Sequence, residues 1–202
     1  MGGAASSPDC GEADTLLAAL VAAVRESVSA ETTATAKVAR TCERLRPFLA
    51  EPGLLTAHQR RESAEGYRQH LLHAASDGLF SVVALVWRPG QRTPVHDHVS
   101  WCVSGLWEGR EIEQRYRAVS CGDSRRLLAT DRLVHEAGDV NGLVPPGDIH
   151  QVHNPGPGRA ISIHVYGADI SRPGSSVRRV YPEQMTGPLA PASAVTEPTS
   201  AR

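Results

Sequence analysis

Apolar residues in the first part of the chain recur with a helical period. Leu16, Leu17, Leu20, Val21 and Val24 fall at three- and four-residue steps, and Val38, Cys42, Leu45 and Leu49 repeat the pattern. This predicts helical structure between Asp14 and about Arg61, with Pro47 and the Glu51-Pro52-Gly53 run marking the helix end. After Tyr67 the grammar changes. Short β-rich runs at Phe80 to Trp87, Trp101 to Trp107, Ile112 to Val119, Arg126 to Val134 and Ile161 to Tyr166 are separated by turn signals. Those signals include Arg88-Pro89-Gly90, Cys121-Gly122-Asp123 and Pro155-Gly156-Pro157-Gly158. The pattern predicts a mainly β sandwich or small barrel behind a helical preface. It divides the chain into a disordered start (1–13), the preface (14–65), the β domain (66–185) and a disordered tail rich in Pro, Ala, Ser and Thr (186–202).

Composition narrows the partners. Among 202 residues, 21 basic and 22 acidic side chains leave a formal net charge of -1. That is no surface for phosphate backbones, so nucleic acid is not an expected partner. The longest apolar run, Thr15 to Val24, is about half of the roughly 20 residues a membrane span needs, and Arg25 and Glu26 end it. Met1 to Cys10 lacks the basic start and apolar centre of a secretory signal, so a cytoplasmic location is expected. Cys10, Cys42, Cys102 and Cys121 are too scattered for a disulfide framework or a zinc ribbon. The helical preface serves either to close the barrel or to mediate self-association, and the oligomeric state stays open.

The candidate chemistry sits in three segments. In the run from Gly90 to Cys102, His96 and His98 are two apart, so a strand would put both imidazoles on one face and turn Asp97 away. In Pro145-Pro-Gly147-Asp-Ile-His150-Gln-Val-His153-Asn154 a turn is followed by His150, the third ligand of choice. A solvated His-Asp-His turn is the alternative reading of the spacing alone. In Ser162-Ile-His164-Val-Tyr166 the same alternation puts three polar side chains on one face, either as an acid-base relay or as a buried polar ladder. His58, His70, His73, His135 and His153 have no ligand spacing and are read as non-ligands.

Together these segments resemble the cupin superfamily. Its first motif is glycine, five residues, His-x-His, three or four residues, glutamate, six residues, glycine. Gly90, His96, His98 and Gly109 match it, with Cys102 where the glutamate would stand. Its second motif is matched by Pro145, Gly147, His150 and Asn154, with its leading glycine one place off at Gly138. Cupins that keep three histidines and lose the acidic ligand resemble the thiol dioxygenases, cysteine dioxygenase and 3-mercaptopropionate dioxygenase. Ser162, His164 and Tyr166 are similar to the hydrogen-bonded triad of those enzymes. The likeness covers roughly residues 60–182.

The resemblance implies a cupin double-stranded β-helix, that is, a small jelly-roll barrel. It implies a mononuclear metal held by His96, His98 and His150, iron(II) in the family and nickel(II) as the alternative, with dioxygen as co-substrate. The substrate would be a small thiol bearing a carboxylate, L-cysteine or 3-mercaptopropionate, oxidised at sulfur to the sulfinic acid. Cys102 matches a position that in some cysteine dioxygenases carries a thioether crosslink to the tyrosine matching Tyr166. The carboxylate clamp has two sources by resemblance. Tyr67 matches a tyrosine that cysteine dioxygenases follow with an arginine, where this chain has Gln69 with Arg68 one step away. Arg179, in Val177-Arg178-Arg179, matches the arginine of the mercaptopropionate enzymes and is the preferred clamp. Three alternatives stand beside this reading: oxidative rearrangement with decarboxylation to a sulfonamide-type product, an isomerase or epimerase that needs no oxygen, and a non-catalytic cupin that binds a metal or small ligand.

Overall fold

The computed structural model describes residues 10–121 and 124–186. Most of the tail segments expected to be disordered, and the Gly122-Asp123 part of one turn signal, lie outside the described residues. The first helix, α1 (Cys10–Ala30), begins four residues inside the expected N-terminal tail, with Glu12 in its first turn, where a carboxylate favours the helix start. A second helix, α2 (Ala34–Leu45), starts at Thr33, whose Oγ1 accepts from the Ala36 N–H at 3.2 Å. Pro47 then tightens the chain into a 3₁₀ turn, Arg46–Ala50. The helical character expected as far as Arg61 ends there. Pro52 and Gly53 break it, and the turns that follow are tied by the Arg60 guanidinium, which donates to the Leu55 and Pro52 carbonyls.

Ten strands follow: β1 (Arg68–Ala74), β2 (Ser81–Trp87), β3 (Val95–His98), β4 (Cys102–Glu108), β5 (Arg110–Cys121), β6 (Ser124–Glu136), β7 (Val140–Leu143), β8 (His150–His153), β9 (Ala160–Tyr166) and β10 (Val177–Tyr181). They form two antiparallel five-stranded sheets, ordered β1-β2-β9-β4-β7 and β10-β3-β8-β5-β6. From β2 to β5 and again from β6 to β10 sequential strands alternate between the sheets, so the chain winds as a double-stranded β-helix, the jelly roll expected from the sequence. No helix among the described residues is long and apolar enough to cross a membrane.

The helices cover the outer face of the first sheet. Every residue of β2 and β9 is buried, because each strand has a covered surface on both sides. Val82, Ala84, Val86, Ile161, Ile163 and Val165 point outward and pack with Leu20, Val24, Leu45 and Leu49 of the helical layer. Val83, Leu85, Trp87 and Tyr166 point inward with Cys102. Two glycines set how closely the helices sit. A Cβ on Gly105 would lie 2.8 Å from Leu49 Cδ1, and one on Gly142 would lie 2.2 Å from Val38 Cγ1. A larger residue at either place must push the helical layer off the sheet. Gly142→Val is therefore expected to lower stability by about 1 to 3 kcal/mol, read as a fall in the urea midpoint.

Candidate metal centre

The site is built by alternation in three strands. On β3, His96 and His98 face the barrel interior and Asp97 faces out, where its carboxylate accepts from Arg178 Nε at 3.2 Å and the Tyr181 hydroxyl at 2.8 Å. β8 pairs with β3 so that His150 stands opposite His96. In an antiparallel pair directly opposed residues share a face, which brings the third imidazole in. The three ring centroids are 4.7 to 5.0 Å apart. One ligand nitrogen from each ring lies within 4.8 Å of the others, and all three residues are buried.

Behind each ring stands an acceptor for its Nδ1. His96 Nδ1 is 3.0 Å from the Pro94 carbonyl, His98 Nδ1 is 3.0 Å from Asp148 Oδ2, and His150 Nδ1 is 3.0 Å from Glu113 Oε1. Each bond leaves Nε2 as the free donor atom, and His150 Nε2 is buried with no partner. Burial, reinforced by the neighbouring His150 and His98, holds His96 down to about 3, and burial likewise lowers His150. Three buried imidazoles with outer nitrogens fixed by acceptors and inner nitrogens converging fit a divalent metal. The donor set differs from a bare three-imidazole site, because carboxylates stand directly behind two of the rings.

Glu113 is the more embedded of those carboxylates. Besides His150 it accepts from His135 Nε2 at 3.1 Å, Arg115 Nε at 3.0 Å and Asn141 Nδ2 at 2.8 Å. Burial works to raise its pKa, but these donors prevail and hold the carboxyl well below the usual range. His135, which has no ligand spacing, thus holds Glu113 in place behind His150. Asp148 receives both the ring and the backbone N–H of His98, and despite burial these hold it ionised.

The triad strand β9 lines the opposite wall. Its inward residues form a chain of contacts: Tyr166 OH to His164 Nδ1 at 3.2 Å, and His164 Nε2 to Ser162 Oγ at 2.9 Å, with Trp87 Nε1 donating to the same Oγ at 3.3 Å. Burial pushes the Tyr166 phenol well up and, with the His98 and His150 rings beside it, lowers His164 to about 3. The Tyr166 and His98 ring centroids are 6.0 Å apart. Cys102 opposes Tyr166 across the β4–β9 pair, its Sγ 3.8 Å from His164 Nδ1, and burial raises its thiol well above the ordinary value.

Tyr67 and Gln69 line this pocket, together with Trp87, Thr93, Ser175, Ser176 and Val177. The two arginines proposed as carboxylate clamps do not. Arg68 alternates with Gln69 on β1 and faces a separate surface with Arg60, Arg61, Arg88 and Arg159. Arg179 is the register partner of Asp97, so it shares the outward face. It is exposed, with its guanidinium 5.8 Å from the Tyr181 ring centroid, in a groove behind the sheet. A register shift between Val177 and Arg179 separates the segment that lines the pocket from the arginine. Among the described residues no arginine or lysine lines the histidine pocket.

No protein-family model matches the sequence. Similar solved structures include a protein with a double-stranded β-helix domain from Klebsiella pneumoniae (24% identity, 55% of this chain and 85% of that one, TM-score 0.39). A cupin 2 conserved barrel domain protein from Salinispora arenicola is 25% identical over 55% of this chain and 83% of its own, with TM-score 0.36. An oxalate decarboxylase from Bacillus subtilis is 16% identical over 53% of this chain and 27% of its own, with TM-score 0.40.

Two outcomes follow from the electrostatics. His96 and His164 have folded pKa values near 3 against 6.5 unfolded, so stability is lost as pH falls below 6.5 and the unfolded chain takes up protons the fold resists. Glu111 acts in the opposite sense, because burial raises its folded value to about 7 and acid relieves that cost. Two imidazoles outweigh one carboxyl, and urea titrations of metal-free protein at pH 7 and pH 5 should show a net loss of about 2 kcal/mol. Glu113→Gln, which weakens the hold on His150, should reduce affinity for a divalent metal by about 10- to 100-fold in a chelator-competition titration.

Proposed function

We propose that the chain is a mononuclear metal thiol dioxygenase, taking a small thiol and dioxygen to the sulfinic acid. The observation that supports it most directly is the buried Ser162, His164 and Tyr166 chain ending against the three-histidine cluster. Holding a metal needs only the imidazoles. A phenol kept protonated, aimed at the same space and backed by a neutral imidazole, is equipment for handling a proton. Iron(II) is the proposed metal, with nickel(II) as the alternative, held by His96, His98 and His150. Such a metal, when bound, supplies an electrophilic centre that favours thiolate over thiol and redox contact with dioxygen.

The chain's own residues then divide the work. Tyr166 takes or gives a proton at its hydroxyl beside the reacting sulfur. Trp87, Leu85 and Val152 make the pocket wall apolar and limit water. Gln69, Tyr67 and the Ser175 and Ser176 hydroxyls form the polar rim against which the rest of the thiol is set. The carboxylate of L-cysteine or 3-mercaptopropionate would meet neutral donors there and no guanidinium. That rim also suits a thiol without a carboxylate, which brings cysteamine into the comparison. The opposition of Cys102 and Tyr166 is compatible with the thioether crosslink, which would need one hydrogen lost from each residue to dioxygen as the two-electron oxidant.

The test is oxygen uptake by iron(II)-loaded protein given L-cysteine, 3-mercaptopropionate and cysteamine in parallel, with mass spectrometry of the products. A gain of both oxygen atoms on one thiol is the expected result, and Tyr166→Phe should keep the metal while lowering kcat on the order of 100-fold. Arg179→Ala and Arg68→Ala should leave KM unchanged. Uptake accompanied by carbon dioxide release would move the assignment to oxidative rearrangement, and absence of uptake with every thiol would overturn the dioxygenase in favour of a binding protein.

A further inference from the structure

A second buried carboxyl of β5 lies in the interior beyond the hydrogen-bonded chain of β9. Glu111 precedes Glu113 by two residues on β5, so both carboxyl groups face the barrel interior. Glu111 is 4% exposed and its Oε1 is buried with no hydrogen-bond partner. Such an orphaned carboxyl oxygen costs free energy unless it has a function or a transient partner. Ser162 is the side chain of β9 whose hydroxyl bears on the Glu111 carboxyl, although no hydrogen bond joins the two in this structure. Ser162 Oγ already receives the Trp87 N–H and stands 2.9 Å from His164 Nε2.

We infer that Glu111 is the proton store of the site, taking up through Tyr166, His164 and Ser162 the proton a thiol loses on entering the histidine pocket. The inference rests on the thiol reading above. With Glu111 ionised, Tyr166 O–H donates to His164 Nδ1, His164 Nε2–H donates to Ser162 Oγ, and the Ser162 O–H turns to the unpartnered carboxylate oxygen to complete the path. A proton arriving at the Tyr166 oxygen moves each of these protons one place along. Tyr166 gives its own to Nδ1, His164 gives Nε2–H to Ser162, and Ser162 gives its proton to Glu111. The balance is thiol plus carboxylate to thiolate plus carboxylic acid, with no change in oxidation state. The tautomer of His164 is reversed by the transfer, and the Tyr166 O–H is left free to donate into the pocket.

The surroundings suit a store of this kind. Burial raises the Glu111 pKa to about 7, opposed by the Ser162 hydroxyl and His135 and assisted by the Glu113 charge. His135, its partner across the β5–β6 pair, and Glu113 on its own strand are the titratable groups that bear on it. Glu111 touches no metal ligand and acts through its neighbours, so it is a positioning residue.

The test reads the His164 tautomer by ¹⁵N–¹H correlation in zinc-loaded protein, which needs no turnover. Wild type should pass from the Nδ1–H form at pH 5.5 to the Nε2–H form at pH 8.5. Glu111→Gln, whose amide donates to Ser162 as the protonated acid does, should hold the Nδ1–H form throughout, and Glu111→Asp should restore the pH dependence. A wild-type His164 tautomer indifferent to pH, or a pH response unchanged in Glu111→Gln, would overturn the inference. The wild-type titration stands alone if the glutamine variant fails to fold. In the oxygen-uptake assay, Glu111→Gln should lower kcat and flatten the pH profile near neutrality with metal content unchanged. If no thiol is oxidised but the tautomer follows Glu111, the relay stands and only the thiol assignment falls.

Discussion

A strand buried on both faces with only one of them apolar is the constraint on which this structure depends. β9 sends Ile161, Ile163 and Val165 into the helical layer and Ser162, His164 and Tyr166 into the barrel. The apolar face fixes the strand by packing, and the polar face is tolerable only because each of its groups finds a partner. The helical layer therefore supports the chemistry without touching it. It supplies the burial that keeps β9 in register, and register decides which side chains reach the histidines.

The same logic governs charge. Burying three imidazoles and two or three carboxylates in one barrel would be prohibitive if each stood alone. Here burial lowers His96 and His150, and Asp148 and Glu113 are held ionised by donors that surround them. Glu111 is the exception, with few donors and a carboxyl driven toward neutrality. Two carboxyls on one face of one strand are thus set apart by their hydrogen bonds, the arrangement from which distinct proton roles arise.

Much of the site was legible in the sequence because it obeys period two. His96 with His98, and Ser162 with His164 and Tyr166, declare their shared faces by spacing, and the turn before His150 announces the strand that brings it in. The Glu111-Ile112-Glu113 pattern misleads by the same rule. An alternating strand is ordinarily read with its apolar residue inward, and here the interior holds the acids while Ile112 faces the other way. His135 and Asp148 acquire meaning only from long-range pairing, which no local pattern encodes. Arg179, taken as the clamp by resemblance, lies on the outward face, because a register shift in β10 reverses the side that alternation from Val177 would give it. Which surface the helices cover was likewise invisible, since amphipathic helices state that they pack and not where.

The strands that line the pocket differ in their place within the sheets. β3, β8 and β9, which carry the histidines and the triad, each have neighbours on both sides, whereas β1 and β10, which bring Gln69 and the approach to Val177, are edges. An edge strand answers to a single ladder, so a shift of register such as that between Val177 and Arg179 can be absorbed there without moving a ligand. The rim of the pocket thus lies on margins that can be remodelled, around a fixed middle that carries the three histidines.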